Sequence, residues 1–512
     1  MKISNFKYQI SNIIILMMMS GCSFLEEHPS SALTEEQAFN SMTALRNNAV
    51  LSVYAYLGGN ADSQGLHGTG RGVYDLNSLT TDEQILPTRG GDWYDGGYWQ
   101  DLHNHAWTTD DHSIRDTWDY LFKVVMLCNS GIAHIEAYDK PDKDSAALAE
   151  YKAELRAVRA MYYWYLLDLY GRVPIVTRTD IPTDSVQLAS RKEVYEFAVK
   201  ELRESMPLLA VDFANRPLGI YYGRMTYFVA SFVLMKLYLN HVVYTGVEQA
   251  ALYDSIVGYA DELAQVYWLE DNLRDNFSLD NDRSRENIFV IPREVGKYVA
   301  QYKYEHRTLH YNHASALGMG GENGTSATLE TLEVFGYKTD HQDPRFDLYF
   351  YYDTVYVGSK MVYREDGKTP LVYEADKVSM DVSGTPYEKT AGARLNKYEH
   401  DPNGIQDCNV GKNDIVLFRY ADALLMKAEA KVRLGQDASE EVNEVRRRVD
   451  ADDIAAPTLE DIYRERWREL MWEGWHRNDM IRFGKWTGHT TVFPIPQDML
   501  LIHKNWKQND GY

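Results

Sequence analysis

Ala153-Glu154-Leu155-Arg156-Ala157-Val158-Arg159-Ala160, followed by Asp168-Leu169-Tyr170-Gly171-Arg172-Val173-Pro174, is the stretch on which the reading of the fold turns. Tyr151, Leu155, Val158, Tyr162, Tyr165 and Leu169 recur at spacings of three and four. That spacing predicts a long helix with an apolar stripe, and Gly171 and Pro174 predict its end. Working outward, Val194, Phe197, Leu202, Met206 and Leu209 predict another helix. Tyr227, Ser231, Leu234, Tyr238 and Val242 predict a third, stopped near Gly246. Leu417, Tyr420, Leu424, Ala428 and Val432 predict a fourth, stopped at Gly435, and 459–472 a fifth. Earlier helices are expected near 35–57 and 113–138. Short strand-like pieces occur at Ile288–Ile291 and Asp347–Val357. Helices paired through short turns suggest a mostly α protein of tetratricopeptide-like helical hairpins with a loop-rich face and short β pieces.

Composition narrows the function. The chain has 512 residues, 45% hydrophobic and 25% charged, which is ordinary for a globular protein. Thirty-eight Tyr and 11 Trp are a surplus beyond what a core needs, and both residues suit surfaces apolar on one side and wet on the other. A net charge of −22 excludes nucleic acid as a natural partner, because phosphate binding needs a basic footprint. Three cysteines, Cys22, Cys128 and Cys408, form neither a CxxC pair nor an even framework. Lys2 and Lys7 precede an apolar run from Ile13 to Met19, too short to span a bilayer, and Ser20-Gly21-Cys22 follows. This resembles a bacterial lipobox, with residues 1–21 a signal peptide and Cys22 the lipidated residue of a lipoprotein. Two acyl chains give stable anchoring where one does not.

Further pieces complete a pattern: Leu79-Thr80-Thr81-Asp82-Glu83, Leu237-Tyr238-Leu239-Asn240, Phe418-Arg419-Tyr420-Ala421-Asp422-Ala423-Leu424-Leu425-Met426-Lys427-Ala428-Glu429-Ala430, Asn443-Glu444-Val445-Arg446, Glu465-Arg466 to Glu473-Gly474, and Phe493-Pro494-Ile495-Pro496. In this order they resemble the SusD/RagB family of Bacteroidetes over nearly the whole chain. The resemblance implies a single SusD-like domain over 22–512, with an N-terminal region at 22–230 and a C-terminal SusD/RagB region at 280–512. It implies a cell-surface, lipid-anchored outer-membrane protein that binds oligosaccharide or polysaccharide and delivers it to a SusC-like TonB-dependent porin. The motif charges Arg156, Arg159, Arg419, Glu429, Arg446, Glu469 and Asp479 lie beside apolar stripes, where such groups pair within helical packing rather than catalyse.

A sugar ring has one apolar face and a polar rim, so a binding site needs flat aromatics with Asp, Asn, Arg or His nearby. Arg89-Gly90-Gly91-Asp92-Trp93-Tyr94-Asp95-Gly96-Gly97-Tyr98-Trp99-Gln100 supplies both, and Asp92, Trp93, Tyr94 and Trp99 are candidate ligand contacts. A second cluster, Tyr298 to His313 with Gly320-Gly321-Glu322-Asn323-Gly324, nominates Tyr302, Tyr304 and Asn323, or alternatively a tyrosine rim facing the porin. Four or five contacts of about 1 kcal/mol each give roughly millimolar affinity, suited to handing a ligand onward. His306, His310 and His313 have metal-like spacing without an HExxH motif, and Asp280, Asp282, Ser284 and Glu286 lack the EF-hand glycine and spacing, so no metal is expected. No cofactor and no catalytic residue are expected. The alternatives are the same scaffold binding peptides or another nutrient, or a surface glycosidase, which would need a paired carboxylate set that no motif nominates.

Overall fold

The computed structural model describes residues 34–60, 63–214, 219–295, 300–404 and 411–512. The signal segment, Cys22, Tyr298 and Cys408 lie outside these residues. The stretch that decides the fold forms the second of two long helices, α1 (His112–Ala137) and α2 (Ser145–Tyr170), which pack as a hairpin. Asp111 and Asp144 cap them, each side chain accepting two backbone N–H groups of its first turn. At the other end of α2, Gly171 adopts φ +69° with ψ −75° and donates its N–H to Leu167 O at 3.0 Å. That region of φ/ψ space is closed to most side chains, which is why the helix ends on glycine. The spacing predicts one apolar stripe on α2, but every residue from Ala157 to Tyr170 is buried. The second half of α2 is the axis of the molecule rather than a half-exposed helix.

α3 (Arg191–Ser205) packs on α2 and opens with a reciprocal Ser190/Glu193 cap. α4 (Tyr227–Leu239) ends before the predicted Val242. The chain breaks at Asn240, and a separate turn, His241–Thr245, reaches Gly246. α5 (Ala250–Leu263), absent from the sequence reading, packs against α4 and against α6 (Tyr420–Arg433). α7 (Ser439–Arg447) and α8 (Leu459–Leu470) pack on α6, and α9 (His476–Arg482) follows. Leu417 is not helical as predicted. It lies in β2 (Ile415–Arg419), antiparallel to β1 (Asn287–Ile291). A five-residue apolar run buried on both faces reads alike as strand or helix. The helix expected over 35–57 is present as one turn, Glu35–Ala38, and an unbroken helical run over 42–54 whose middle, 46–51, is wound as π-helix.

One hydrophobic core runs from Leu45 to Trp506 and draws on α1, α2, α4, α5, α6 and both strands. A satellite core of Val355, Val362, Leu371 and Tyr373 lies under a small β hairpin. Among the described residues no helix is long and apolar enough to cross a membrane. The motif charges pair inside the packing. Arg156 and Arg159 hold Glu201 and Arg446 holds Glu465. Arg482 holds Glu429 and Arg466 holds Asp479. Arg419 holds Glu286, Glu469 and Glu473.

Candidate functional site

The loop 89–97 and the segment 302–324, far apart in sequence, meet in space. Arg89 and Asp92 close the loop by exchanging backbone hydrogen bonds of 2.9 and 3.2 Å. Trp93 then takes φ +61° and Asp95 φ +43°, a left-handed backbone that bulky residues rarely adopt. Surrounding contacts impose it. The Trp93 indole Nε1 donates to Glu322 O at 2.8 Å, and Arg89 Nη2 donates to Gly324 O at 3.3 Å. A Cβ on Gly324 would stand 2.9 Å from the Trp93 ring, so glycine there is what lets the indole seat. Tyr94, next to this anchored indole, is 54% exposed.

Asp92 is half-buried and held from two sides. Lys389 Nζ approaches its Oδ2 at 2.8 Å and the Tyr311 hydroxyl donates to the same oxygen at 2.5 Å. Partial burial pushes the carboxyl up, but the hydrogen bonds from Lys389 and Tyr311 outweigh it and hold Asp92 below its ordinary range. In return, burial and the Asp92 bond push the Tyr311 phenol well up. Beneath Trp93, Glu322 faces His306 at 3.2 Å. The His306 hydrogen bond outweighs burial and holds Glu322 below its ordinary value. At His306 burial opposes the charge, and the bond to Glu322 overcomes it and raises the imidazole.

Four of the expected contacts are interior residues, which corrects the sequence reading. Trp99, 4% exposed, sits edge-on under Trp93 with ring centroids 5.9 Å apart and donates Nε1 to Asp95 at 2.9 Å. Tyr302 and Tyr304 stack on one another at 5.8 Å beneath Tyr74, and the Tyr304 hydroxyl donates to Gln84. Asn323 donates to Lys389 O and accepts from Arg394, both at 3.0 Å. Trp99, Tyr304 and Asn323 spend their polar atoms inside the protein, and Tyr302 is buried by ring packing alone, so all four support the surface without forming it. Asp92, Trp93 and Tyr94 are the expected residues that reach it. Lys389 carried no local signal in sequence. Tyr311 was one tyrosine among many, and only the fold selects it.

The histidines do not converge. His306 faces Glu322 and His313 faces Tyr373 at 3.1 Å. Burial, aided by Arg394 and Arg89, lowers His310 to about 3, and burial likewise lowers His313 to about 3. Of the residues weighed as calcium ligands, Asp280 pairs with Lys412 and Glu286 with Arg419 and Arg448. Among the described residues no three His, Cys, Asp or Glu side chains gather as a metal site.

Two family descriptions match this chain: the SusD family over residues 267–512, and a starch-binding family associating with the outer membrane over residues 23–239. The starch-binding protein SusD of Bacteroides thetaiotaomicron is 25% identical over 505 residues, covering 88% of this chain and 87% of its own. A SusD superfamily protein of Parabacteroides distasonis superposes with a TM-score of 0.72 at 20% identity, covering 94% of this chain and all of that one (100%). Surface glycan-binding protein A of Bacteroides thetaiotaomicron, solved with laminarihexaose, superposes with a TM-score of 0.70 at 19% identity, covering 92% of this chain and 99% of its own. The order of the motifs, the helical architecture built on α1 and α2, and family matches over both halves agree: the chain belongs to the SusD family.

Proposed function

We propose that this protein binds an oligosaccharide or polysaccharide at the surface formed by Asp92, Trp93 and Tyr94 with Tyr311 and Glu322 beside them, without cleaving it. The observation that carries this reading is the convergence of two aromatic and polar segments into one exposed patch, where an anchored indole and an exposed phenol ring lie next to a fixed carboxylate. Flat rings take the C–H faces of a sugar and the carboxylate takes its hydroxyls. The curated relative's name, starch-binding, and the laminarihexaose held by the solved relative support a glycan as the ligand. Glycoside hydrolysis needs a carboxylic acid kept protonated by a raised pKa. Asp92 and Glu322, the carboxylates nearest the two rings, are held low instead, which favours binding over turnover.

In this reading residues 22–512 act as one domain, and the family description, starch-binding and associating with the outer membrane, supports a place at that membrane. Cys22 carries the lipid anchor, and the ligand passes to a SusC-like TonB-dependent transporter. Titration calorimetry against a panel of polysaccharides and peptides tests the central claim. The expected result is binding of a glycan, weakened at least tenfold in a Trp93→Ala/Tyr94→Ala variant, with no reducing ends released. Binding of peptides but of no glycan, or release of reducing sugar, overturns it. Cell fractionation of a Cys22→Ala variant tests the anchor, with loss from the membrane fraction expected.

A further inference from the structure

The patch around Asp92 continues past Tyr311. Tyr311, whose hydroxyl donates to Asp92, opens the short helix Tyr311–Ala316. Ser315, four residues on, shares its face. Ser315, Asn312 and Ala316 form one wall of an open groove of about 920 Å³. The other wall is the hairpin of strands Tyr356–Val357 and Lys360–Met361 with the residues that follow it. Asn312 ties the walls together, its Nδ2 donating to Tyr363 O at 2.8 Å.

The hairpin's alternation decides what it shows to solvent. Tyr356 lies directly across from Met361, and Tyr363 is two residues beyond Met361, so the three share one face. Val355 and Val362 point the other way, into the satellite core with Leu371 and Tyr373. The outer face therefore carries two half-exposed tyrosines, Tyr356 at 51% and Tyr363 at 43%, of which Tyr363 lines the groove. Next to them Arg364 lines the groove. Among the described residues its guanidinium makes one long contact, to Glu374 at 3.5 Å, and its buried Nε has no acceptor. Exposed aromatic faces beside Asn, Ser and under-used Arg donors repeat the chemistry found at Asp92, Trp93 and Tyr94, with Tyr311 and Asn312 as the bridge.

We infer that this groove is the second half of the binding surface. It takes the continuation of a glycan chain whose first rings lie at Trp93 and Tyr94, so the protein selects extended chains over short ones. This rests on the glycan reading above. Tyr363 stacks on a ring, and Asn312, Ser315 and Arg364 meet its hydroxyls. The hairpin's outer face is independent of the main core, so its side chains can be removed without unfolding the protein.

The experiment is calorimetry with maltooligosaccharides and laminarioligosaccharides from disaccharide to octasaccharide. Where the panel selects another polysaccharide, the partial-hydrolysis ladder of that polymer is used. Wild-type affinity is expected to climb with chain length. Tyr363→Ala is expected to bind the shortest ligands like wild type and the longest about tenfold more weakly, while Tyr363→Phe keeps the climb. Trp93→Ala/Tyr94→Ala is expected to weaken every length. Equal binding of the octasaccharide by wild type and Tyr363→Ala, or no dependence on length in wild type, overturns the inference and leaves the glycan reading standing. No binding of any glycan by wild type overturns both.

Discussion

Trp93 departs from the backbone that its residue type prefers. A bulky side chain at positive φ costs on the order of 1–3 kcal/mol and persists only where neighbours over-determine it. Here the neighbours are the Arg89/Asp92 hairpin, the Glu322 carbonyl and the space left by Gly324. The His306–Glu322 pair fixes the segment that supplies that carbonyl, so its titration reaches the surface. His306 has a folded pKa above its ordinary value of about 6.5. Its contribution is therefore full below that value and is lost as pH rises through the raised folded pKa. Glu322 is depressed, so its contribution is full above its ordinary pKa and is lost as pH falls through the lowered one. Both groups are partly exposed, so the stability involved is small and the effect belongs to ligand affinity. Affinity is expected to fall as pH rises from slightly acidic to alkaline, and His306→Gln is expected to flatten that profile. A profile unchanged by the substitution, measured by calorimetry in matched buffers, refutes the coupling. The exposure of Asp92, Trp93 and Tyr94 was legible in sequence because glycines around aromatics mark a loop that presents side chains. The burial of Tyr302 and Tyr304 was not, because a tyrosine packed inside the core looks the same in sequence as one that faces solvent.

Among the elements, legibility followed the length of the periodic run. The stripe from Tyr151 to Leu169 spans several turns, and the helix it predicts is present with its stop at Gly171. The run 415–419 spans barely one, and there pairing with β1 overrides the helical spacing of Leu417 with Tyr420. α5 went unseen because its apolar residues are diluted by Gly258 and by the acids Asp254, Asp261 and Glu262. Gly171 is a direct test of the element scale. Its φ of +69° and ψ of −75° suit glycine alone, and a Cβ would also come within 3.2 Å of Val492 Cγ1. Gly171→Ala is expected to destabilise the protein by about 1–3 kcal/mol. Urea denaturation checks this. A midpoint unchanged from wild type shows that the chain can end α2 another way. Gly246, which ends a peripheral turn with open space at its Cβ, is the matched control and is expected to cost less when replaced by alanine.

Across the whole molecule, buried ion networks cross-link elements that the apolar core brings together. Lys236 of α4 meets Asp422 of α6, which Arg466 of α8 joins to Asp479 of α9. Arg477 reaches back to Asp168 of α2 at 3.1 Å, and the Trp472 backbone N–H donates to Glu83 at 2.7 Å. Arg419 is fully buried among Glu286, Glu469 and Glu473, while Arg345 and Arg448 also hold Glu469. Desolvation opposes the charge on Glu469, and Arg448, Arg419 and Arg345 overcome it, leaving the carboxyl well below its ordinary range. That contribution is present above its unfolded pKa and is lost as pH falls through the depressed one, so this carboxyl's share of the network is lost in acid. Such a network adds little net stability when complete, but removing one cation strands buried carboxylates. Arg419→Met is accordingly expected to cost about 3–5 kcal/mol, read as the shift in urea midpoint, with Arg419→Lys intermediate because it keeps the charge and loses the fork. Because the links join elements of both family-matched regions to one core, residues of the two regions cannot separate without stranding charge in either. Calorimetric unfolding of the chain is therefore expected to be a single transition whose calorimetric and van't Hoff enthalpies agree. Two resolved transitions, or a stable fragment released by limited proteolysis between 240 and 266, would separate the regions and overturn the single-domain reading.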